Sequence, residues 1–386
     1  MRRLIWHYGI APERLGSEDD ATFAERSCTD TVGWTQWLRR LQSEYGYRCE
    51  IHTFSLRNDR AVYDIDGLKW VFHPLRFDAL SNLSIRGTDA QSLLGISPSF
   101  FRELRNNPPD LFGFYMIGNV LAPLVGGYLR SRDVPYFVKV FREEQSGLVH
   151  DLVYRGATAL WAETNETANA LSRRRYAPNT DIEVIPQAIN EGLFAPDVRS
   201  PPNDSEPTLG FIGRLDERKR FLLSLEALDA VRTRHPSTTL HVRGDFMTDA
   251  YERKVDAEIS RRGLEENIVF HDFLDPNELV KLYRDLDLLL FPSRRETYGR
   301  VLVEAMMCGT PPIAVHGSVG PEAIVDNGRT GVITAEAEFA STVASLVDRP
   351  TELRAMGERA ATAAKERYSL AATTPAFERF CSELIE

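Results

Sequence analysis

The chain has 386 residues, 43% of them hydrophobic and 26% charged, with a formal net charge of −10. That length predicts two mid-sized domains, the ordinary composition argues against disorder and fibrous repeats, and the acidic balance argues against a duplex nucleic-acid partner, which needs clustered Lys and Arg. The four cysteines, Cys28, Cys49, Cys308 and Cys381, show no CxxC pair or metal-like spacing, so a reducing cytoplasm is expected, with no disulfide framework and no zinc site.

The N-terminus has basic residues but only a short apolar run, broken by His7 and Tyr8, and does not read as a signal peptide. No run approaches the ~18 apolar residues of a transmembrane helix. The basic cluster Arg173-Arg174-Arg175 reads as a solvated helix face, and peripheral contact with the inner face of a membrane stays open.

From there the chain alternates apolar runs with helix-like stretches: strands at 3–8, 47–54 and 68–74, and a helix at 33–46. The stretch 11–31 is long and acidic for a βα loop, usually about 2–6 residues; it reads either as a flap over a cleft or as a disordered loop. Strands follow at 110–118, 136–141 and 158–164, with helices through 119–134, 146–156 and 165–173. A strand after each helix implies a parallel sheet with right-handed crossovers. A strand at 182–186 and a Pro-, Ser- and Asp-rich linker at 197–208 precede a second alternation, with strands at 209–213, 239–244, 267–273, 286–293, 311–316 and 330–334. The expectation is an α/β chain of two Rossmann-like, doubly wound domains, 1–181 and 182–365, facing across a cleft at the carboxyl ends of their sheets.

Two features of the second half carry chemistry. In "RRETYGRVLVEAMMCG" (294–309), Glu296 falls in a strand-to-helix loop and Glu304 inside the helix, so the two carboxylates straddle a helix N-terminus. The N–H groups of Gly299, Arg300 and Val301 form a phosphate site there, and glutamates are good acceptors for sugar hydroxyls. A phosphate flanked by two polyols is a nucleotide sugar. In "GFIGRLDERKR" (210–220), Arg214 and Lys219 stand five apart in a loop after a strand, placed to neutralise a diphosphate. Each feature alone also reads as ordinary surface charge.

Together, Gly213-Arg214-x4-Lys219, "FPS" at 291–293, Glu296-x7-Glu304 and "GPEAIVDNGRTGVI" (320–333) resemble glycosyltransferase family 4, and "VIPQAINEGLF" (184–194) resembles its interdomain segment. The resemblance implies the GT-B architecture, a C-terminal segment at 366–386 crossing back to the first domain, and retaining transfer of a sugar from a nucleoside diphosphate. It implies that Arg214 and Lys219 bind the diphosphate, Glu296 the donor sugar and Glu304 the ribose. The N–H groups after Tyr298 and Gly299 would cradle sugar or phosphate, Phe270 and His271 would line the base, and Glu322 would take the family's acidic position. With side-chain cations supplied, neither a metal nor another cofactor is expected.

The first domain matches in rhythm and departs twice. Only Gly33 stands where the family has paired glycines, and Arg142 stands where it often has a histidine, so that Arg142, ahead of His150, or neither takes the place beside the reacting sugar. The expected reaction moves a hexosyl or N-acetylhexosaminyl group, from a UDP-sugar before GDP-mannose, to a hydroxyl of a glycan, lipid-linked glycan or small molecule. A natural-product glycosyltransferase is an alternative, and a non-catalytic nucleotide-sugar-binding partner subunit is the rival of another class.

Overall fold

The computed structural model describes residues 1–9, 19–29, 31–76, 84–85, 88–89, 96–117, 121–141, 148–174, 180–196 and 206–386. The chain divides into two units, Met1–Ala188 with Thr373–Glu386, and Ile189–Ala372. Among the described residues no helix is long and apolar enough to cross a membrane.

The first unit is built on β1 (Arg3–Tyr8), β2 (Arg48–Ser55), β3 (Ala61–Ile65) and β4 (Leu68–Pro74), then the short ribbon β5 (Ser84–Ile85) and β6 (Thr88–Asp89), then β7 (Leu111–Met116), β8 (Tyr136–Lys139), β9 (Ala159–Ala162) and β10 (Asp181–Val184). Apart from the ribbon, these form one eight-stranded sheet in the order β10-β9-β8-β7-β1-β2-β4-β3. Leu4, Ile5, Trp6, Phe112 and Phe114 are fully buried, as expected of parallel strands covered on both faces. The edge strand β3 runs antiparallel to β4. Its two-residue turn, Asp66-Gly67, has left-handed dihedrals at both positions, the chemistry of a tight hairpin.

β10 corrects one expected boundary. The strand assigned to the start of the second domain pairs instead with β9, Ile182 opposite Leu160, and Trp161 Nε1 donates to the Ile185 carbonyl at 2.7 Å. These bonds hold residues 181–188 in the first unit, so the division falls after Ala188 rather than after Asp181. The C-terminal residues also belong to this unit. In the last helix, Leu370–Ile385, the ring of Phe377 stacks on Trp37 with centroids 4.7 Å apart, and Trp37 Nε1 donates to Thr373 Oγ1 at 2.9 Å. Part of the acidic stretch 11–31 is ordinary helix, Asp20–Ser27, capped by the Asp19 side chain accepting from the Thr22 N–H at 2.8 Å; residues 10–18 and 30 lie outside the described residues.

Three buried histidines stand on one face of this sheet. His52 Nδ1 lies 3.0 Å from His73 Nε2, His52 Nε2 lies 3.2 Å from Glu50 Oε2, and His7 Nδ1 lies 3.1 Å from the His52 carbonyl. Arg3, Arg48 and Lys69 also surround the Glu50 carboxylate. Burial drives His7 down to about 3 and lowers His52 and His73 as well. The unfolded chain therefore takes up these protons first, and stability is whole above about pH 6.5 and falls as pH drops below it. His7 alone costs about 2 kcal/mol by about pH 5, with the other two adding in the same direction. Urea melts between pH 7 and pH 5 check this: a His7→Phe variant should show a shallower loss, and an equal loss would remove the attribution.

The second unit holds β11 (Thr208–Ile212), β12 (Thr239–Arg243), β13 (Ile268–His271), β14 (Leu288–Phe291), β15 (Pro312–Val315) and β16 (Val332–Thr334), all parallel, in the order β13-β12-β11-β14-β15-β16. Alternate residues feed two cores: Leu288 and Leu290 pack on one face with Phe221, Val255 and Val343, while Leu289 and Phe291 pack on the other with Tyr283, Leu302 and Met306. Chain order reverses between β11 and β14. Ligands of doubly wound sheets rest outside the carboxyl ends of the strands at such a reversal.

Candidate functional site

The loops leaving β11 and β14 are those that carry the two sequence features. In the first, the Lys219 N–H donates to Asp216 Oδ1 at 2.8 Å, folding the loop back so that the Lys219 ammonium lies 5.0 Å over the Phe291 ring at the end of β14. In the second, Glu296 Oε2 accepts from Lys219 Nζ at 2.6 Å, Ser293 Oγ at 3.2 Å and Arg218 Nη1 at 3.3 Å. Among the described residues nothing donates to Glu296 Oε1. The Lys219 and Glu296 side chains are only 14% and 15% exposed, so solvent screens this pair weakly. Arg214 stands at the rim, over half exposed and 3.4 Å from Asp216.

The helix Arg300–Met307 begins beside this pair. Gly299 sits at its N-cap with φ 94°, a left-handed angle that favours glycine, and an added Cβ would lie 3.6 Å from Glu296 Cγ. No side chain caps the first turn, so Arg300 and Val301 open a helix N-terminus next to Lys219 and Glu296. The backbone of the loop is pinned from behind, with the Gly320 N–H donating to the Glu296 carbonyl at 2.9 Å. A cation, a helix N-terminus and a carboxylate with one open oxygen can together hold an anion bonded to a polyol.

Residues 197–363 match the family described as glycosyl transferases group 1. That stretch is similar to a group 1 glycosyltransferase domain. Among curated proteins, the D-inositol 3-phosphate glycosyltransferase of Segniliparus rotundus is 31% identical over 222 residues, 55% of this chain and 49% of that one. The 2-deoxystreptamine glucosyltransferase of Streptomyces kanamyceticus is 29% identical over 284 residues, 65% of this chain and 72% of that one. The chain thus spans about half the length of the first of these relatives. Among solved structures, sucrose-phosphate synthase from Thermosynechococcus elongatus superposes with TM-score 0.74 at 18% identity, covering 100% of this chain and 99% of that one. Anabaena Alr3699/HepE in complex with UDP and glucose superposes with TM-score 0.69 at 17% identity over 99% of each chain. These likenesses establish the expected fold class, two Rossmann-like domains of GT-B type.

Within residues 197–363, the remaining predicted residues divide. Glu304 is 5% exposed, and both its oxygens have donors, Tyr283 Oη at 2.8 Å and Arg300 Nε at 2.7 Å. Its position ties the helix Arg300–Met307 to the helix Pro276–Asp285, and a ribose hydroxyl would have to use its remaining lone pairs. Tyr283→Phe should cost about 1–3 kcal/mol in a urea melt by leaving a buried carboxylate one donor short; no change would show that water replaces the hydroxyl. Tyr298 is a core residue, 4% exposed and packed edge-on to Tyr368, so only its backbone faces the loop chemistry. Glu322, after β15, accepts from the Gly317 N–H at 2.8 Å.

Phe270 and His271 end the edge strand β13, two strands from the reversal. Phe270 is 47% exposed, whereas His271 Nε2 is committed to His241 Nδ1 at 2.8 Å with the two rings stacked. Burial, reinforced by His271, lowers the pKa of His241. Sequence reasoning missed Arg243, whose guanidinium sits 5.6 Å over the exposed ring of Phe273. The available signal was its place as the last residue of a strand.

In the first unit, Gly33 begins the helix Gly33–Tyr45, and an added Cβ would meet the Ala188 carbonyl oxygen at 1.9 Å. Glycine is needed there for close backbone packing. His150 is half-buried in the helix Leu148–Tyr154, with its pKa lowered by burial. Arg142 lies outside the described residues. Sequence reasoning also missed Lys139 and Glu163, a fully buried ion pair at 2.5 Å at the carboxyl ends of β8 and β9.

Proposed function

We propose that this protein is a retaining glycosyltransferase, moving a hexosyl or N-acetylhexosaminyl group from a nucleoside diphosphate sugar, a UDP-sugar by preference, to an acceptor hydroxyl. The observation that carries the reading is the Lys219–Glu296 pair at the β11/β14 reversal beside an uncapped helix N-terminus. Lys219 and Arg214 neutralise the leaving diphosphate, the N–H groups at Gly299, Arg300 and Val301 cradle phosphate or sugar oxygens, and Glu296 Oε1 accepts from the donor sugar. The acceptor hydroxyl attacks the anomeric carbon from the face the diphosphate leaves, and the leaving phosphate takes the acceptor's proton. Positive charge comes from side chains, so a metal is not required in this account. Glu304 and Glu322 serve as outer contacts to ribose and sugar, and Phe270 with Phe273 offers apolar surface to the base.

The names of the relatives and the complexes of Alr3699/HepE with UDP, glucose and UDP-glucose support this class. They also recommend D-inositol 3-phosphate and 2-deoxystreptamine as first acceptors, ahead of glycan and lipid-linked acceptors in a cytoplasmic setting. Incubation with UDP-sugars and GDP-mannose against these acceptors, followed by proton NMR of the product, tests the reading. The expected product keeps the donor's anomeric configuration. An inverted product would refute the mechanism, and the absence of transfer with every donor would favour a non-catalytic binding subunit.

A further inference from the structure

Behind the loop that carries Lys219 lies a cavity that the proposed reaction does not use, lined in part by Arg220, Tyr251, Arg294, Glu217, Glu226 and Glu336. Arg220 precedes the twelve-residue helix Phe221–Arg232, whose first turn has no side-chain cap. Two arginines converge there on one carboxylate: Arg220 pairs with Glu336 Oε1, and Arg294 Nη2 lies 2.6 Å from Glu336 Oε2. Glu336 reaches them from a short turn, Glu336–Glu338, and keeps 44% exposure, so it can swing away. The other two acids face cations of their own, Glu217 with Lys254 at 3.0 Å and Glu226 with Arg262 at 3.8 Å.

Two buried polar groups in this cavity are left over. Among the described residues Arg220 Nη1 has no partner. Tyr251 is 4% exposed; its hydroxyl lies against the N–H groups of Phe221 and Leu222 but makes no hydrogen bond of ordinary geometry, and among the described residues its own proton finds no acceptor. Buried donors without acceptors are rare in native proteins and ask for an explanation. Glu336 does not supply it in this arrangement: its two oxygens face the two guanidinium groups, and neither the Tyr251 hydroxyl nor Arg220 Nη1 bonds to it.

We propose that this cavity is a second anion site, which takes the phosphate group of a small phosphorylated molecule, and that Glu336 is the internal carboxylate such a phosphate displaces. A phosphate offers one more oxygen than a carboxylate, enough to meet the Tyr251 hydroxyl and Arg220 Nη1 along with Arg294 and the helix N-terminus. The site is coupled to the β11 loop through the backbone. Arg220 follows Lys219 directly, and the Arg294 N–H donates to the Arg218 carbonyl at 3.0 Å. A bound phosphate therefore acts on the loop that holds Glu296.

Titration with inorganic phosphate at constant ionic strength, followed by calorimetry, tests the site on the intact protein, on Glu336→Gln and on Glu336→Gln with Tyr251→Phe. Removing the competing carboxylate should raise phosphate affinity roughly tenfold, and the added Tyr251→Phe should return most of that gain. Glu336→Asp, which keeps the charge but shortens its reach, should give a smaller gain and serves if Glu336→Gln fails to fold. Unchanged affinity in the Glu336 variant that folds shows that Glu336 is only a structural counter-ion and overturns the proposal. A gain that survives Tyr251→Phe places the phosphate elsewhere and overturns it equally.

Discussion

Glu296→Gln should lower the rate of glycosyl transfer by about 10²–10³-fold while leaving UDP affinity within about threefold, and Lys219→Ala should weaken both. The split follows from the geometry. Lys219 stands between the β11 loop and the helix N-terminus, where a diphosphate would rest in the ground state and gain charge as it leaves. In the proposed reaction Glu296 offers an oxygen to the sugar and so would act where the sugar distorts. Arg218 and Ser293 still hold the carboxylate after Lys219 is removed, so the loop keeps its shape and the two effects separate. Steady-state rates with UDP-sugar and calorimetry with UDP measure them. Equal losses of binding and rate in Glu296→Gln would place that carboxylate on the nucleotide rather than the sugar.

The buried pair in the first unit gives the largest expected effect on stability. Lys139→Met should cost about 3 kcal/mol or more in urea unfolding, since it strands a buried carboxylate. The Lys139 ammonium lies 4.2–4.7 Å from the ring centroids of Phe141, Tyr115 and Trp161, with Glu163 as its counter-ion at 2.5 Å. Gln187 still donates to Glu163 in the variant, which keeps the loss at the lower end of the usual range. Replacing both partners, Lys139→Met with Glu163→Leu, should recover at least half of the lost stability, because apolar groups of similar size satisfy an aromatic box. Equal losses in the single and double variants would mean that packing, not the stranded charge, sets the cost.

Most of the fold was legible because its signals are local. Buried parallel strands read as continuous apolar runs, and those around Leu4, Leu111, Leu209 and Leu288 are strands in the structure. The β3–β4 hairpin was legible too, in Asp66-Gly67, but the expected helix–strand alternation hid it. The boundary at Ala188 was not legible, since Asp181–Val184 carries no local mark of which sheet it joins; the bond from Trp161 to Ile185 decides that.

In the site, the spacing of Arg214, Lys219, Glu296 and Gly299 located two loops that the strand order then brought to one reversal point. Pairing across the chain was hidden. Nothing in sequence ties Glu304 to Tyr283, Gly33 to the Ala188 carbonyl or Lys139 to Glu163, because each partner lies 21 to 155 positions away and contributes only one residue.

The central claim, a nucleoside diphosphate bound at the β11/β14 reversal, is tested most directly by calorimetric titration of UDP and GDP into the intact protein and Arg214→Ala. The account predicts that UDP binds in preference to GDP and that Arg214→Ala weakens it at least tenfold, as expected for loss of a charge-assisted phosphate contact. Failure of both nucleotides to bind the intact protein, or binding that Arg214→Ala leaves unchanged, would contradict it.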